Sequence, residues 1–149
     1  MNACKEMIRI CDQSKYADLA ALWERSVSAS HDFLVEADIQ SIRQKLASDY
    51  FPMVDLYGIY RKLRCLGFIG VRDRSVEMLF IDAPYFNQGL GNKLMNYALA
   101  RHKVKKVEVN AQNPKAVEFY QKFGFQIVSR RAKDSQGRNY PILTMELRG

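Results

Sequence analysis

The most constraining stretch of this chain runs from 54 to 82. It holds three apolar segments, 54–60, 65–71 and 76–82, parted only by the short polar connections 61–64 and 72–75. Connections this short cannot cross over a sheet, because a parallel crossover needs a dozen or more residues. The three segments therefore predict an antiparallel meander. The next strand, 106–110, lies beyond a loop at 83–91 and a helix at about 92–102, in which Leu94, Tyr97, Ala98 and Arg101 keep a helical period. That intervening length suits a parallel crossover and sets strand 76–82 at the centre of a mixed sheet.

The flanking segments complete the pattern. Residues 7–11 alternate and read as a strand. Asp12 or Ser14 is placed to cap a helix whose apolar face is Leu19, Leu22, Trp23 and Val27. A second helix covers 37–48, with Ile39, Ile42 and Leu46 on one side, and Ser30-His31-Asp32-Phe33-Leu34 forms the loop between the two. After the crossover, Asn113-Pro114 supplies an N-cap and a proline at the first helical position, and Gly124 stands where a helix-stopping glycine belongs. Two last strands, 125–132 and 140–147, flank the turn Asp134-Ser135-Gln136-Gly137. The expected order is β-α-α-β-β-β-α-β-α-β-β, an α/β (α+β) fold with a mostly antiparallel central sheet.

No linker, repeat or compositional break divides the 149 residues, so one domain over 1–149 is expected. A hydrophobic content of 48% excludes a disordered chain. No apolar run approaches the ~18 residues of a membrane span, and Met1-Asn2-Ala3-Cys4-Lys5-Glu6 lacks the apolar core of a signal peptide. Cys4, Cys11 and Cys65 are odd in number and form no CxxC pair; with His31 and His102 the only histidines, neither a disulfide framework nor a metal site is suggested. The expectation is a cytoplasmic protein without a membrane partner. A net charge of +7 fits either a nucleic-acid surface or a site for a multiply charged anion. The basic residues are dispersed, and no helix-turn-helix, RNA-binding aromatic pair or zinc spacing is present, so no nucleic acid is expected as partner.

Two segments carry chemistry. In the first, strand 76–82 runs through Ala83-Pro84-Tyr85-Phe86-Asn87-Gln88-Gly89-Leu90-Gly91-Asn92 into a helix. Two glycines at i and i+2 let the backbone turn tightly and approach a ligand, and the helix start offers unpaired N–H groups at its positive end. Together these suit a phosphate or pyrophosphate. A nucleotide P-loop would need Gly-Lys-Ser/Thr, and a dinucleotide fingerprint would need a glycine at Leu94; neither is present. In the second segment, Asn113 to Phe125, Ala116 and Tyr120 share a helix face, while Phe119 and Phe123 lie on an adjoining, core-like face. Taken alone, Tyr120 reads first as an amphipathic core tyrosine.

Taken together the two segments resemble the GNAT superfamily of acyl-CoA-dependent N-acyltransferases. Leu79-Phe80-Ile81 followed by Gln88-Gly89-Leu90-Gly91 looks like its motif A, and Asn113-x-x-Ala116-x-x-x-Tyr120 through Gly124-Phe125 looks like its motif B. The usual motif A reads Arg/Gln-x-x-Gly-x-Gly/Ala, often with glycine second; here those first two positions are Phe86 and Asn87, which leaves the binding to backbone N–H groups.

The resemblance implies a domain with a splayed central strand pair and acetyl-CoA as co-substrate, with no metal. It implies a pyrophosphate held by Asn87, Gln88, Gly89, Leu90, Gly91 and Asn92. The pantetheine arm would lie along Leu79, Phe80 and Ile81 like an extra strand, with Asn113, Ala116 and Phe119 beside it. A backbone N–H near Leu79 to Ile81 would serve as oxyanion donor. An amine then attacks the thioester directly, and Tyr120 protonates the leaving thiolate. Glu77 is a candidate base, or else a solvent-facing strand residue; His31 and Asp32, in the loop that borders the acceptor site in the family, are the other candidates. Trp23, Tyr57 and Tyr140 line either the acceptor pocket or the core. The acceptor is a small-molecule amine, a protein lysine or an N-terminus, and the chain a monomer or a homodimer. A CoA-binding module of the same fold with little or no catalysis is the alternative reading.

Overall fold

A computed structural model describes residues 5–148; Cys4 therefore lies outside the described residues. Seven strands form one sheet in the order β1-β2-β3-β4-β5-β7-β6. They are β1 (Glu6–Ile10), β2 (Asp55–Arg61), β3 (Arg64–Arg72), β4 (Ser75–Ile81), β5 (Lys106–Asn110), β6 (Phe125–Arg131) and β7 (Ile142–Leu147). The helices are α1 (Tyr16–Ser30), α2 (Glu36–Lys45), α3 (Leu90–His102) and α4 (Pro114–Lys122). Every neighbouring strand pair is antiparallel except β4 with β5. The expected element order and mixed, mostly antiparallel sheet are those observed, with β4 fourth of seven.

Boundaries differ where local signals compete. The second helix leaves α geometry at Lys45 and continues as a wider π turn over Leu46–Tyr50, a turn that seats Leu46 and Phe51 in the core. The third helix begins two residues earlier than expected, at Leu90, because Gly89 already serves as its N-cap. Asp12 caps a short turn ahead of α1 through its carboxylate and the Ser14 N–H.

The sheet carries a hydrophobic layer on each face. On one, Leu19, Leu22, Trp23 and Val27 of α1 and Ile39 of α2 pack with Leu56, Tyr60 and Phe68. On the other, Leu90, Leu94, Met95 and Ala98 of α3 and Tyr120 of α4 pack with Ile69, Val76, Val107 and Met145. Strand alternation sends Met78 and Phe80 toward the first layer and Leu79 and Ile81 toward the second. β4 is thus fastened on both faces just where its edge is left open.

That opening is the central fact of the topology. β4 and β5 are in register only at Ser75↔Lys106 and Val76↔Val107. Beyond them β5 pairs with β7 and β4 with β3, and the two strands part.

Two features hold the parted strand in place. Gly67 lies opposite Ile81, and a Cβ there would stand 2.9 Å from the Phe80 carbonyl oxygen and 2.6 Å from Ile81 Cδ1. Glycine therefore lets β3 press against the end of β4. Asp82, 1% exposed, receives both Nε and Nη2 of Arg25 on α1, each at 2.9 Å. Its Oδ1 also accepts the Ala83 N–H at 3.0 Å. This bidentate pair ties α1 to the exit of β4.

Gly67→Ala is expected to lower stability by about 1–3 kcal/mol, the cost of overpacking against backbone, measured by chemical denaturation. Arg25→Ala should cost about 2–3 kcal/mol, because it strands a buried carboxylate. Asp82→Asn, which keeps the cap acceptor and leaves the unpaired charge on half-exposed Arg25, should cost about 1 kcal/mol. Equal losses for the two single variants would refute the buried-carboxylate account.

Candidate active site

The parted strands open into a cleft of about 680 Å³, the size of a site for a small organic ligand. Its floor is Leu79, Phe80 and Ile81 of β4. One wall is the turn into α3, and the other is the start of α4 with Asn113, Ala116, Phe119 and Tyr120. Ser30, His31 and Asp32, at the end of α1, close one side.

The turn into α3 departs from the expected geometry in an instructive way. Gly89 has φ +79° and is the residue that needs a left-handed backbone, while Gly91 is helical. Gly91 matters for close packing instead: a Cβ there would meet the Phe119 ring at 3.4 Å. The second left-handed residue is Asn87, φ +64°, at the position where a glycine is often found in motif A. Asparagine tolerates that region far better than most side chains. With Gly89 as cap, the first helical bond runs from the Lys93 N–H to the Gly89 carbonyl. The N–H groups of Leu90, Gly91 and Asn92 are consequently left for another acceptor at the positive end of α3. The Gln88 side chain is exposed at the crest of the turn and does not line the cleft.

On α4, Asn113 caps the helix through Oδ1, which accepts the Ala116 N–H at 3.3 Å. Tyr120 is 6% exposed, its ring edge-on to Phe119 and Phe125. Burial pushes its phenol above the usual tyrosine range. Among the described residues its hydroxyl makes no hydrogen bond, yet no sealed side-chain polar atom is left without a partner. The hydroxyl therefore reaches the cleft, which its place in the lining agrees with.

His31 sits at the C-terminus of α1, with its N–H bonded to the Val27 carbonyl. Its Nδ1 is 2.7 Å from Ser30 Oγ and its Nε2 is 3.3 Å from Asn113 Nδ2. Burial lowers the imidazole pKa, with the neighbouring Asp32 opposing. At neutral pH the ring is uncharged.

Four candidate site residues lie elsewhere. Trp23 is 4% exposed in the core behind Phe80, with ring centroids 6.3 Å apart, because its place on the apolar stripe of α1 turns it toward the sheet. Glu77 is exposed and accepts the Ser75 hydroxyl at 2.8 Å. Strand alternation would put it on the face of Leu79 and Ile81, but it is the extra residue of a bulge between Val76 and Met78; it stands at the closed end, next to the last β4–β5 pair, and does not line the cleft. Tyr57 packs against Tyr97 and His102, and the Tyr140 hydroxyl donates to Asp38 Oδ2 at 2.6 Å. Sequence reasoning did not find the Arg25–Asp82 pair or the contact between His31 and Asn113. Each joins residues far apart in the chain, and no local signal marks either one.

The comparisons with known proteins agree with this geometry. The profile of the Acetyltransferase (GNAT) domain matches residues 18–148. The chain is 36% identical over 128 residues to the peptidyl-lysine N-acetyltransferase YjaB of Salmonella typhimurium, covering 85% of this chain and 88% of that protein. It is 33% identical over 129 residues to the protein of the same name from Escherichia coli, covering 86% and 87%. The solution structure of apo-form YjaB from Escherichia coli superposes with a TM-score of 0.87 at 31% identity, over 97% of this chain and 99% of that one. The PaiA N-acetyltransferase of Thermoplasma acidophilum, solved with coenzyme A, shares the fold at 18% identity, with a TM-score of 0.72 over 95% and 99% of the two chains. With both motifs on one cleft and the match spanning most of its length, the chain belongs to the GNAT family of acetyl-CoA-dependent N-acetyltransferases.

Proposed function

We propose that this protein, acting as one domain, moves the acetyl group of acetyl-CoA onto the side-chain amine of a protein lysine. The observation that carries the transfer chemistry is that the Gly89 turn and the Tyr120 hydroxyl open onto the same cleft, along the unpaired part of β4. The lysine acceptor rests on the similarity to the two peptidyl-lysine N-acetyltransferases.

Each part of the cleft has a task. The N–H groups of Leu90, Gly91 and Asn92, at the positive end of α3, hold the pyrophosphate, with Asn87 and Gly89 shaping the turn. The free edge of β4 over Leu79, Phe80 and Ile81 pairs with the amides of the pantetheine arm and directs an N–H at the thioester oxygen as charge develops. Ala116 leaves room beside the arm, and Phe119 packs under the turn.

Tyr120 acts at the leaving group. The reference pKa values are about 10 for a phenol and 8.5 for a thiol, and burial raises the phenol further. The tyrosine therefore stays protonated throughout the working range. It donates a hydrogen bond to the sulfur as the carbon–sulfur bond lengthens and gives up its proton as the thiolate departs.

A second reading, CoA binding without transfer, draws on one observation. Phe86, an apolar ring on the cleft wall, stands where the family pattern carries Arg or Gln. The two readings separate in solution. Acetyl-CoA at 100 times its Kd should stabilise the protein by about 2.7 kcal/mol in thermal unfolding under either one. Only the transferase should release free thiol when lysine peptides are added. Tyr120→Phe should retain that stabilisation and lose about 10²–10⁴-fold in kcat. An unchanged kcat at saturating substrate would remove Tyr120 from the mechanism.

A further inference from the structure

We propose that His31 is the base that takes the proton from the acceptor ammonium. This rests on the transferase reading above and extends it to the acceptor side of the cleft.

The hydrogen-bond network determines which ring nitrogen is basic. Asn113 Oδ1 is committed to the Ala116 N–H, so its Nδ2 is the group that meets His31 Nε2 at 3.3 Å. An amide N–H donates there, so Nε2 holds the lone pair. The Nδ1–H then donates to Ser30 Oγ at 2.7 Å, and the Ser30 hydroxyl in turn donates to the Ser26 carbonyl at 2.7 Å. The basic nitrogen is consequently the one that meets Asn113, itself part of the cleft lining, and the opposite nitrogen keeps a fixed acceptor that also supports an imidazolium. The ring is steadied by Phe33 and Phe80, with centroids at 5.2 and 6.2 Å. Asp32, in the same loop, is the charged neighbour; from α4, Lys115 and Tyr120 share the cleft. Glu77, the other carboxylate expected to serve, is outside it.

One N–H bond of the lysine ammonium breaks as the Nε2–H bond forms, and the amine displaces the Asn113 amide from that nitrogen. The freed nitrogen lone pair forms the new carbon–nitrogen bond. The carbon–sulfur bond breaks, with its electron pair and the Tyr120 proton going to sulfur. The second nitrogen proton leaves to water as the amide forms, Tyr120 regains one from water, and the imidazolium releases its proton to solvent.

The test is the pH dependence of kcat/KM for a lysine peptide, measured for the wild-type protein, His31→Gln, His31→Ala and Glu77→Gln, with acetyl-CoA binding followed by thermal shift. Glutamine keeps an oxygen for the Asn113 amide but takes no proton in this range. The wild-type profile should be flat from neutrality toward pH ~10 and fall on the acid side as His31 is protonated. Both His31 variants should lose about 10²–10⁴-fold at pH 7. They should recover about tenfold per pH unit toward the lysine pKa of about 10.4, where the amine needs no base. Their acetyl-CoA shift should stay that of the wild type. A uniform loss at every pH, a wild-type profile in His31→Gln, or loss of the acid limb in Glu77→Gln instead would each overturn the assignment. A wild-type protein that binds acetyl-CoA and acetylates no lysine peptide would overturn the transferase reading beneath it.

Discussion

A strand in the middle of a sheet normally has both hydrogen-bonding edges satisfied by neighbours, and β4 is denied this over most of its length. It keeps β5 for two residue pairs and then runs alone on that side. An exposed row of backbone donors and acceptors is costly unless something pairs with it. An extended ligand with amide groups can supply that partner, and the sheet around β4 is built to keep the row presented. β3 presses against it through Gly67, α1 clamps its exit through Arg25 and Asp82, and the two hydrophobic layers grip its alternate side chains.

The electrostatics follow from where that strand leads. β4 exits into a turn whose left-handed residues, Asn87 and Gly89, swing the chain directly into α3. The helix thus begins with its N–H groups toward the cleft rather than toward solvent. Dispersed charge of +7 adds a diffuse attraction for a polyanionic substrate, while the contact proposed above would be made by backbone. A site of that kind would tolerate Phe86 in place of an arginine or glutamine, because it depends on backbone conformation rather than on that side chain.

Much of the fold was legible because its signals are local. The short connections 61–64 and 72–75 allow only hairpins, and Asn113-Pro114 with Gly124 brackets α4 at both ends. The pairing of the Gly89 turn with Tyr120 could be read as well, since both belong to spaced motifs. What stayed hidden depends on chain closure. Asp82 reads as a polar strand end until α1 folds back and buries it under Arg25. His31 reads as a loop residue until α4 brings Asn113 to it. Trp23 and Glu77 show the converse: residue type suggested a site role, but helical phase turns Trp23 into the core, and Glu77 stands at the closed end of β4, outside the cleft.

Asparagine, aspartate and serine are nearly interchangeable as helix caps, and at position 113 that equivalence breaks down. The carboxamide is engaged at both ends, its oxygen by the α4 backbone and its nitrogen by an imidazole from the end of α1. Aspartate would cap α4 as well but would present an acceptor to Nε2, inverting the tautomer and drawing a proton onto the ring. Serine would cap it and leave the ring without a counterpart. A position for which helix energetics alone would accept several residue types thus meets a second requirement, set by a partner it could not have met until the chain had folded.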